Sequence, residues 1–345
     1  MNNEIREYIL NNVAKHPSKI AAITAQEYKV SRASTAQYLR KLVSQGLLNA
    51  TGHTKGRRYE LRNFIDKTFR FDVTLELQED IEWREKILPF MEGLTENILA
   101  ICQYGFTEML RNIKDHSQSN RVLIGVERNA VNIRLVVRDY GIGIFNKIQN
   151  DFNLYDPRHA LLELSKGKLT SDPNHHSGEG IFFTSRMFDK FCILSRPLFF
   201  LRTNKENEDW LLEVKDRPKE KDGTFITMDI SPNTKRTLQE VFDKFSPNSG
   251  EYGFSKTHIP IELARYEGEQ LVSRSQAQRL VARFERFEEV LLDFKNVAMV
   301  GQSFADEIFR VYQLAHPQIR VVWVNAEPNV EKMILHVMAN KAVHP

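Results

Sequence analysis

A chain of 345 residues, 41% hydrophobic and 27% charged with a formal net charge of +3, suits a globular protein of two or three domains and excludes a disordered one. No apolar run reaches the roughly 20 residues of a membrane span; the best, 192–201, is broken by Arg196 and Pro197. The polar, acid-bearing N-terminus reads as neither signal nor transit peptide, and Cys102 and Cys192 are too few for a disulfide framework or a structural zinc site, so buried thiols in a cytoplasmic protein are expected.

The charge is uneven. Residues 1–62 carry eleven Lys or Arg against four acids, a net of +7 that leaves −4 for the remainder. A basic head on a mildly acidic body points to a polyanion at the head. There, residues 3–14 have helical spacing (Ile5, Ile9, Leu10, Val13), a short second helix follows Ser18, and Ser31 can N-cap a third that runs to Gln45 and stops at Gly46. Leu47–Thr51 and Tyr59–Leu61 flank a tip rich in Gly, Lys and Arg, which predicts a hairpin. Three helices and a basic hairpin resemble a winged helix-turn-helix. That resemblance implies DNA as partner, with Ser34, Thr35, Gln37 and Tyr38 facing base edges and Lys55, Arg57 and Arg58 on phosphate. The alternative is a small interaction domain with solvated charges.

Residues 63–94, with Phe64, Phe69, Phe71, Val73, Leu75 and Leu77 alternating, predict an edge strand and then a charged helix that belong to the next domain. Thr95–Lys114 is helical, and Glu108 and Asn112 stand four residues apart on one face. Two strands follow, 121–127 and 131–138, the second running into Asp139-Tyr140-Gly141-Ile142-Gly143. A long polar stretch, 145–177, reads as an irregular lid. Gly178-Glu179-Gly180 then opens an apolar helix to Phe188, with strands expected at 191–196, 210–215 and, after Gly223-Thr224, 225–230.

Singly these signals are weak: a lone Gly-x-Gly, a helix carboxylate or a turn aspartate is commonplace. Their order is specific. Glu-x3-Asn, Asp-x-Gly-x-Gly after a strand, Gly-x-Gly opening a helix and a late Gly-Thr together resemble the Bergerat-fold ATPases over roughly residues 64–232. This class includes type II topoisomerases, heat-shock chaperones, mismatch-repair ATPases and sensor histidine kinases, and 105–117 looks like the N-box of its anti-sigma-factor kinase branch. The resemblance implies ATP and Mg2+ as cofactors. Asp139 would accept the adenine amine, with Gly141, Gly143 and Thr224 near the base; Asn112 would hold magnesium; Gly178 and Gly180 would face phosphate; Glu108 would be the general base. The chemistry agrees. A charged hydrogen bond to a buried acceptor contributes about 1.5–3 kcal/mol, magnesium takes oxygen ligands beside phosphates, and helix-start amides bind anions.

Two departures stand out. No phosphoacceptor helix precedes the N-box, which argues against histidine autokinase activity, and the second glycine element, Gly178-Glu179-Gly180-Ile181, lacks the further Gly-Leu-Gly of many kinases. His116 reads as a packing or lid-contacting residue. Lys166, Lys168, His175 and His176 all offer a cation to the phosphates, the choice between them staying open, and a metal site at His175-His176 is not favoured.

A boundary is expected at 246–250. Beyond it come a helix at 273–287, a strand at 290–294, a helix at 301–314, a strand at 321–324 and a last helix at 327–339. Leu292–Val297 followed by Gly301–Glu307 resembles a STAS-like domain, the fold of anti-sigma-factor antagonists, in which a serine at the helix start is phosphorylated by a Bergerat-fold kinase. Gln302 takes that position here, with Ser303 beside it, where a serine is more commonly a cap.

The expected fold is thus multidomain α+β: a winged helix at 1–62, an α/β-sandwich ATP-binding domain at 63–245 and a small α/β STAS-like domain at 250–345. The expected function is an ATP-responsive DNA-binding transcriptional regulator with slow hydrolysis. A homodimer would suit two half-sites, and a protein partner would suit the STAS-like domain. The alternatives are an anti-sigma-type serine/threonine kinase acting on a STAS-like domain, and a scaffold that holds nucleotide structurally.

Overall fold

The computed structural model describes residues 2–53, 56–74, 76–170, 177–204, 223–247, 253–264 and 269–339, and the backbone of 208–213. Lys55, Leu75, His175, His176 and positions 248–250 of the expected boundary lie outside them.

The head consists of α1 (Asn3–Asn12), α2 (Ile20–Glu27), α3 (Arg32–Ser44) and an antiparallel hairpin of β1 (Leu48–Thr51) and β2 (Arg58–Leu61). Side-chain caps start two of the helices: Asn2 Oδ1 accepts from the Glu4 amide (2.9 Å) and Ser31 Oγ from the Ser34 amide (3.0 Å). Ile5, Ile9, Leu10, Val13, Ile20, Leu39 and Leu42 meet between the helices, and Leu48 and Tyr59 of the hairpin close this core. It is separate from the main core, and Ala130 and Val131 of the central domain pack against it.

The central domain begins with β3 (Ile65–Asp72), α4 (Glu79–Glu82) and α5 (Glu96–His116), then β4 (Arg121–Arg128), β5 (Ile133–Asp139), α6 (Ile144–Asp151), α7 (His159–Lys166) and α8 (Gly180–Met187). It continues through β6 (Lys190–Ser195), β7 (Leu198–Thr203), β8 (Glu208–Glu213), β9 (Thr224–Ile230) and α9 (Leu238–Phe245). The strands form one seven-stranded antiparallel sheet in the order β3-β4-β5-β9-β6-β7-β8. Ile133, Leu135 and Val137 lie across from Ile230, Met228 and Ile226, and all six are buried in the core shared with α5 and α8.

Two expectations are corrected here. The 145–177 stretch is not irregular throughout, because α6 and α7 lie within it. Ala160 to Lys166 are all buried, so α7 has no polar face to give it a readable period. Between the expected strands at 191–196 and 210–215 runs a further one, β7, because Arg196 (φ +51°) turns the chain back beside β6.

The C-terminal unit is a parallel sheet in the order β10-β11-β12 with helices packed on it. Its elements are β10 (Lys256–Pro260), α10 (Arg274–Val281), β11 (Glu289–Asp293), α11 (Gln302–Asp306), α12 (Gln313–Ala315), β12 (Arg320–Val324) and α13 (Pro328–Ala339). A wider turn, Glu307–Tyr312, joins α11 to α12. The expected helix at 273–287 ends early, at Val281: Ala282 leaves the helical conformation (ψ 131°) and Arg283 after it is left-handed (φ +68°).

Packing does not stop at the expected boundary. One continuous core runs from Leu77 to Val337. Phe182 and Phe183 of α8 pack at a tilt against Phe254 (4.4 and 5.0 Å between ring centroids), and Phe254 meets Phe287 (5.4 Å), so aromatic rings join the two units. Among the described residues no helix is long and apolar enough to cross a membrane. Cys102 and Cys192 are buried and free, and burial pushes the Cys102 thiol up to about 12.

Candidate functional site

A cavity of about 340 Å³ opens between the sheet and α5, α6 and α8. Glu108, Asn112, Asp139, Gly143, Gly178, Gly180 and Thr224, expected from the sequence to share a site, all line it. They come from separate elements and over a hundred positions of sequence.

Asp139 follows Ile133, Leu135 and Val137 on the core side of β5, so strand alternation points its carboxylate under the helices, where it is 3% exposed. Oδ1 accepts from the Gly141 amide (2.8 Å). Thr224, at the start of the neighbouring strand, also bonds to the carboxylate and accepts at Oγ1 from the Ile144 amide (3.0 Å). Burial pushes the Asp139 carboxyl up, against the pull of the Gly141 and Thr224 hydrogen bonds. Gly141 itself is not part of the cavity wall. A Cβ there would lie 1.8 Å from the Ser117 carbonyl oxygen, so its bareness lets the loop close onto the end of α5 rather than admit a ligand. Gly143 (φ +82°) starts α6.

Tyr104, Glu108, Asn112 and His116 form a stripe of α5 at steps of four that faces the cavity. The Asn112 amide nitrogen is buried and has no hydrogen-bond partner among the described residues. An orphan of this kind costs about 1–3 kcal/mol unless a ligand satisfies it. The Glu108 carboxylate rests on the first residue of α8: a Cβ at Gly180 would lie 2.1 Å from Glu108 Oε2. Arg111 stands 3.6 Å from the other carboxylate oxygen. The first amide bonded within α8 is that of Phe183, to Glu179 O (3.0 Å), so the amides of 180–182 point out of the helix start beside Glu108. Burial pushes the Glu179 carboxyl up, with Lys168 opposing and Glu108 adding. The cavity therefore has a buried acceptor at one end and, at the other, helix-start amides, a carboxylate and an unsatisfied side-chain amide.

The lid cations are placed differently from one another. Lys166 is fully buried, with Nζ on Glu163 Oε1 (2.6 Å) and the carbonyls of Arg279 (3.2 Å) and Ala282 (2.9 Å), so it points away from the cavity. Lys168 donates to the Arg286 carbonyl (2.8 Å). The lysine in the wall is Lys147 of α6, paired to Asp151 (2.6 Å). The sequence reading missed it along with its helix, although Ile144 and Ile148 carried the helical spacing. Leu169, Thr170 and Ser177 complete the wall.

On the head, Thr35 does not face outward as expected. It is fully buried, with its hydroxyl on the Ser31 carbonyl (3.3 Å), because its position falls on the packed side of α3. Ser34 is half-buried and bonded to Ser31 (2.9 Å), and the half-buried Tyr38 hydroxyl accepts from the Asn2 amide (3.3 Å). The exposed side chains of α3 include Arg32, Gln37, Arg40 and Lys41, and Arg57 and Arg58 are exposed on the hairpin. In the C-terminal unit Gly301 is the N-cap of α11, and Ser303 is exposed without capping it.

Among known families, one described as a STAS-like domain of unknown function (DUF4325) matches residues 276–331. This stretch takes in most of α10, β11, the helix through α12, β12 and the start of α13, so the C-terminal unit is STAS-like. No curated protein matches the chain.

Proposed function

We propose that the chain is an ATP-responsive DNA-binding regulator, in which a Bergerat-type site in the central domain controls a winged head. The observation that carries this reading is the meeting of Glu108, Asn112, Asp139, Gly178, Gly180 and Thr224 in one cavity. Its residues fit a magnesium nucleotide. Asp139 and Thr224 suit a purine amine, the amides at the start of α8 suit phosphate oxygens, and Asn112 would offer its side-chain oxygen to a divalent ion while its buried, unpaired amide nitrogen suits a phosphate oxygen as acceptor. Bound magnesium would neutralise phosphate charge, and Glu108 would take the proton of an attacking water. The exposed Arg32, Gln37, Arg40, Arg57 and Arg58 support DNA as the partner of the head.

Calorimetric titration of the full chain with magnesium and a non-hydrolysable ATP analogue tests the site. The wild type should bind in the micromolar range, and Asp139→Asn should lose at least about tenfold in affinity, the value of one charged hydrogen bond. Equal affinity in the two proteins removes Asp139 from the site. The exposed, non-capping Ser303 gives a second reading, phosphotransfer to a STAS-like domain. Phosphoserine found by mass spectrometry after incubation with ATP would favour it, and free phosphate alone the first.

A further inference from the structure

The wall of the cavity at Leu169 and Gly178 is one hydrogen-bonded unit: the Leu169 amide donates to the Gly178 carbonyl (3.1 Å), and a Cβ on Gly178 (φ +69°) would lie 2.5 Å from the Leu169 backbone. What holds this strap comes from the C-terminal unit. Arg283 donates from Nη2 to the carbonyls of Gly167 (2.8 Å) and Lys168 (2.7 Å) and pairs through Nη1 with Glu163. Arg286 also donates to the Lys168 carbonyl (2.7 Å). In return, Lys166 and Lys168 donate to the carbonyls of Arg279, Ala282 and Arg286. Each side thus gives a cation to the other's backbone, and the Glu163 carboxylate sits between Lys166 (2.6 Å) and Arg283. Arg283 itself has a left-handed conformation (φ +68°), which is costly for a residue with a side chain.

We infer that Arg283 of the STAS-like unit is a positioning residue for the cavity, anchoring the 167–169 strap so that its wall is formed before a ligand arrives. It is not itself in the cavity wall, although its guanidinium also lies over the ring of the wall residue Phe152 (5.8 Å). It acts through the strap, so the STAS-like unit and the ligand bias the same short segment. A ligand that needs the strap in place binds in proportion to the fraction of molecules in which it is in place. By reciprocity, ligand binding tightens the contact with the STAS-like unit. The anchoring stands on geometry alone; only the naming of the ligand as nucleotide rests on the function proposed above.

The test compares wild type, Arg283→Ala and Arg283→Lys as full chains. Amide hydrogen exchange without ligand should be faster at 164–170 in Arg283→Ala and unchanged in the middle of α5. Affinity for the magnesium-bound ATP analogue should fall about tenfold, within the usual range of coupling between sites. Arg283→Lys, which keeps the charge but cannot reach both carbonyls, should lie between the other two. If Arg283→Ala does not fold, Arg283→Lys against wild type makes the same comparison. Unchanged exchange at 164–170, or faster exchange with affinity within about twofold of wild type, overturns the inference. If the wild type binds no adenine nucleotide, the reading of the site fails while the exchange result still decides the anchor.

Discussion

At the residue scale, two glycines of the candidate site have opposite tolerances. A Cβ at Gly141 meets a backbone oxygen, Ser117 O, at 1.8 Å, which cannot yield without moving the end of α5. A Cβ at Gly180 meets the far end of the Glu108 side chain at 2.1 Å, which can swing away. Gly141→Ala should therefore cost about 1–3 kcal/mol or more, the range for overpacking. Gly180→Ala should stay near wild-type stability but lose about 10²-fold or more in ATP turnover, the contribution of a displaced general base. Thermal melts and a phosphate-release assay separate the two. A strongly destabilised Gly180→Ala would show that Glu108 is held rigidly. Glu108 and Asn112 were legible as neighbours because helical spacing alone sets their common face. The packing duty of Gly141 was not, because Ser117 approaches it only in the folded chain.

The elements differ in how plainly they show in the sequence, for physical reasons. α5 and β5 each have one buried face, and their periods of four and two carry through. α7 is buried nearly all round, so its apolar and charged residues give no period, and its Glu163 and Lys166 look like solvated charges until Arg283 is brought against them. α3 shows the converse. Its polar residues read as one outward set, yet Thr35 packs inward, since a threonine methyl and a backbone-bonded hydroxyl are both at home in a small core. The β1–β2 hairpin carries its own prediction. Arg57, exposed at the tip, should contact phosphate, so Arg57→Ala should weaken binding to unrelated DNA sequences alike and reduce the slope of log affinity against log salt by about one. A sequence-selective loss with an unchanged slope would place Arg57 on a base instead.

For the whole molecule, the two cores set the pattern of unfolding. The head packs within itself and meets the body at Ala130 and Val131, beside the turn at which β5 begins; the same strand ends at Asp139 in the cavity. The central and C-terminal units share one core. Leu39→Ala, a fully buried truncation in the head, should cost about 2–5 kcal/mol there. Calorimetry should then show the head unfolding first, with the transition of the body unmoved. A single transition shifted as a whole would mean that the contact at 130–131 couples head and body more tightly than two side chains suggest.

By itself the sequence determined the local order of helices and strands wherever one face is buried, the concentration of positive charge in the first 62 residues, and the identity of the polar side chains available at strand ends and helix starts. These are properties of short segments, fixed by side-chain period and backbone preference. The tertiary structure alone decided that residues from 108 to 224 meet around one cavity, that Lys166 points away from it, and that Arg283 holds its strap. Each of these is a contact between distant parts of the chain, and such contacts arise from how packed faces come together, which no local period encodes.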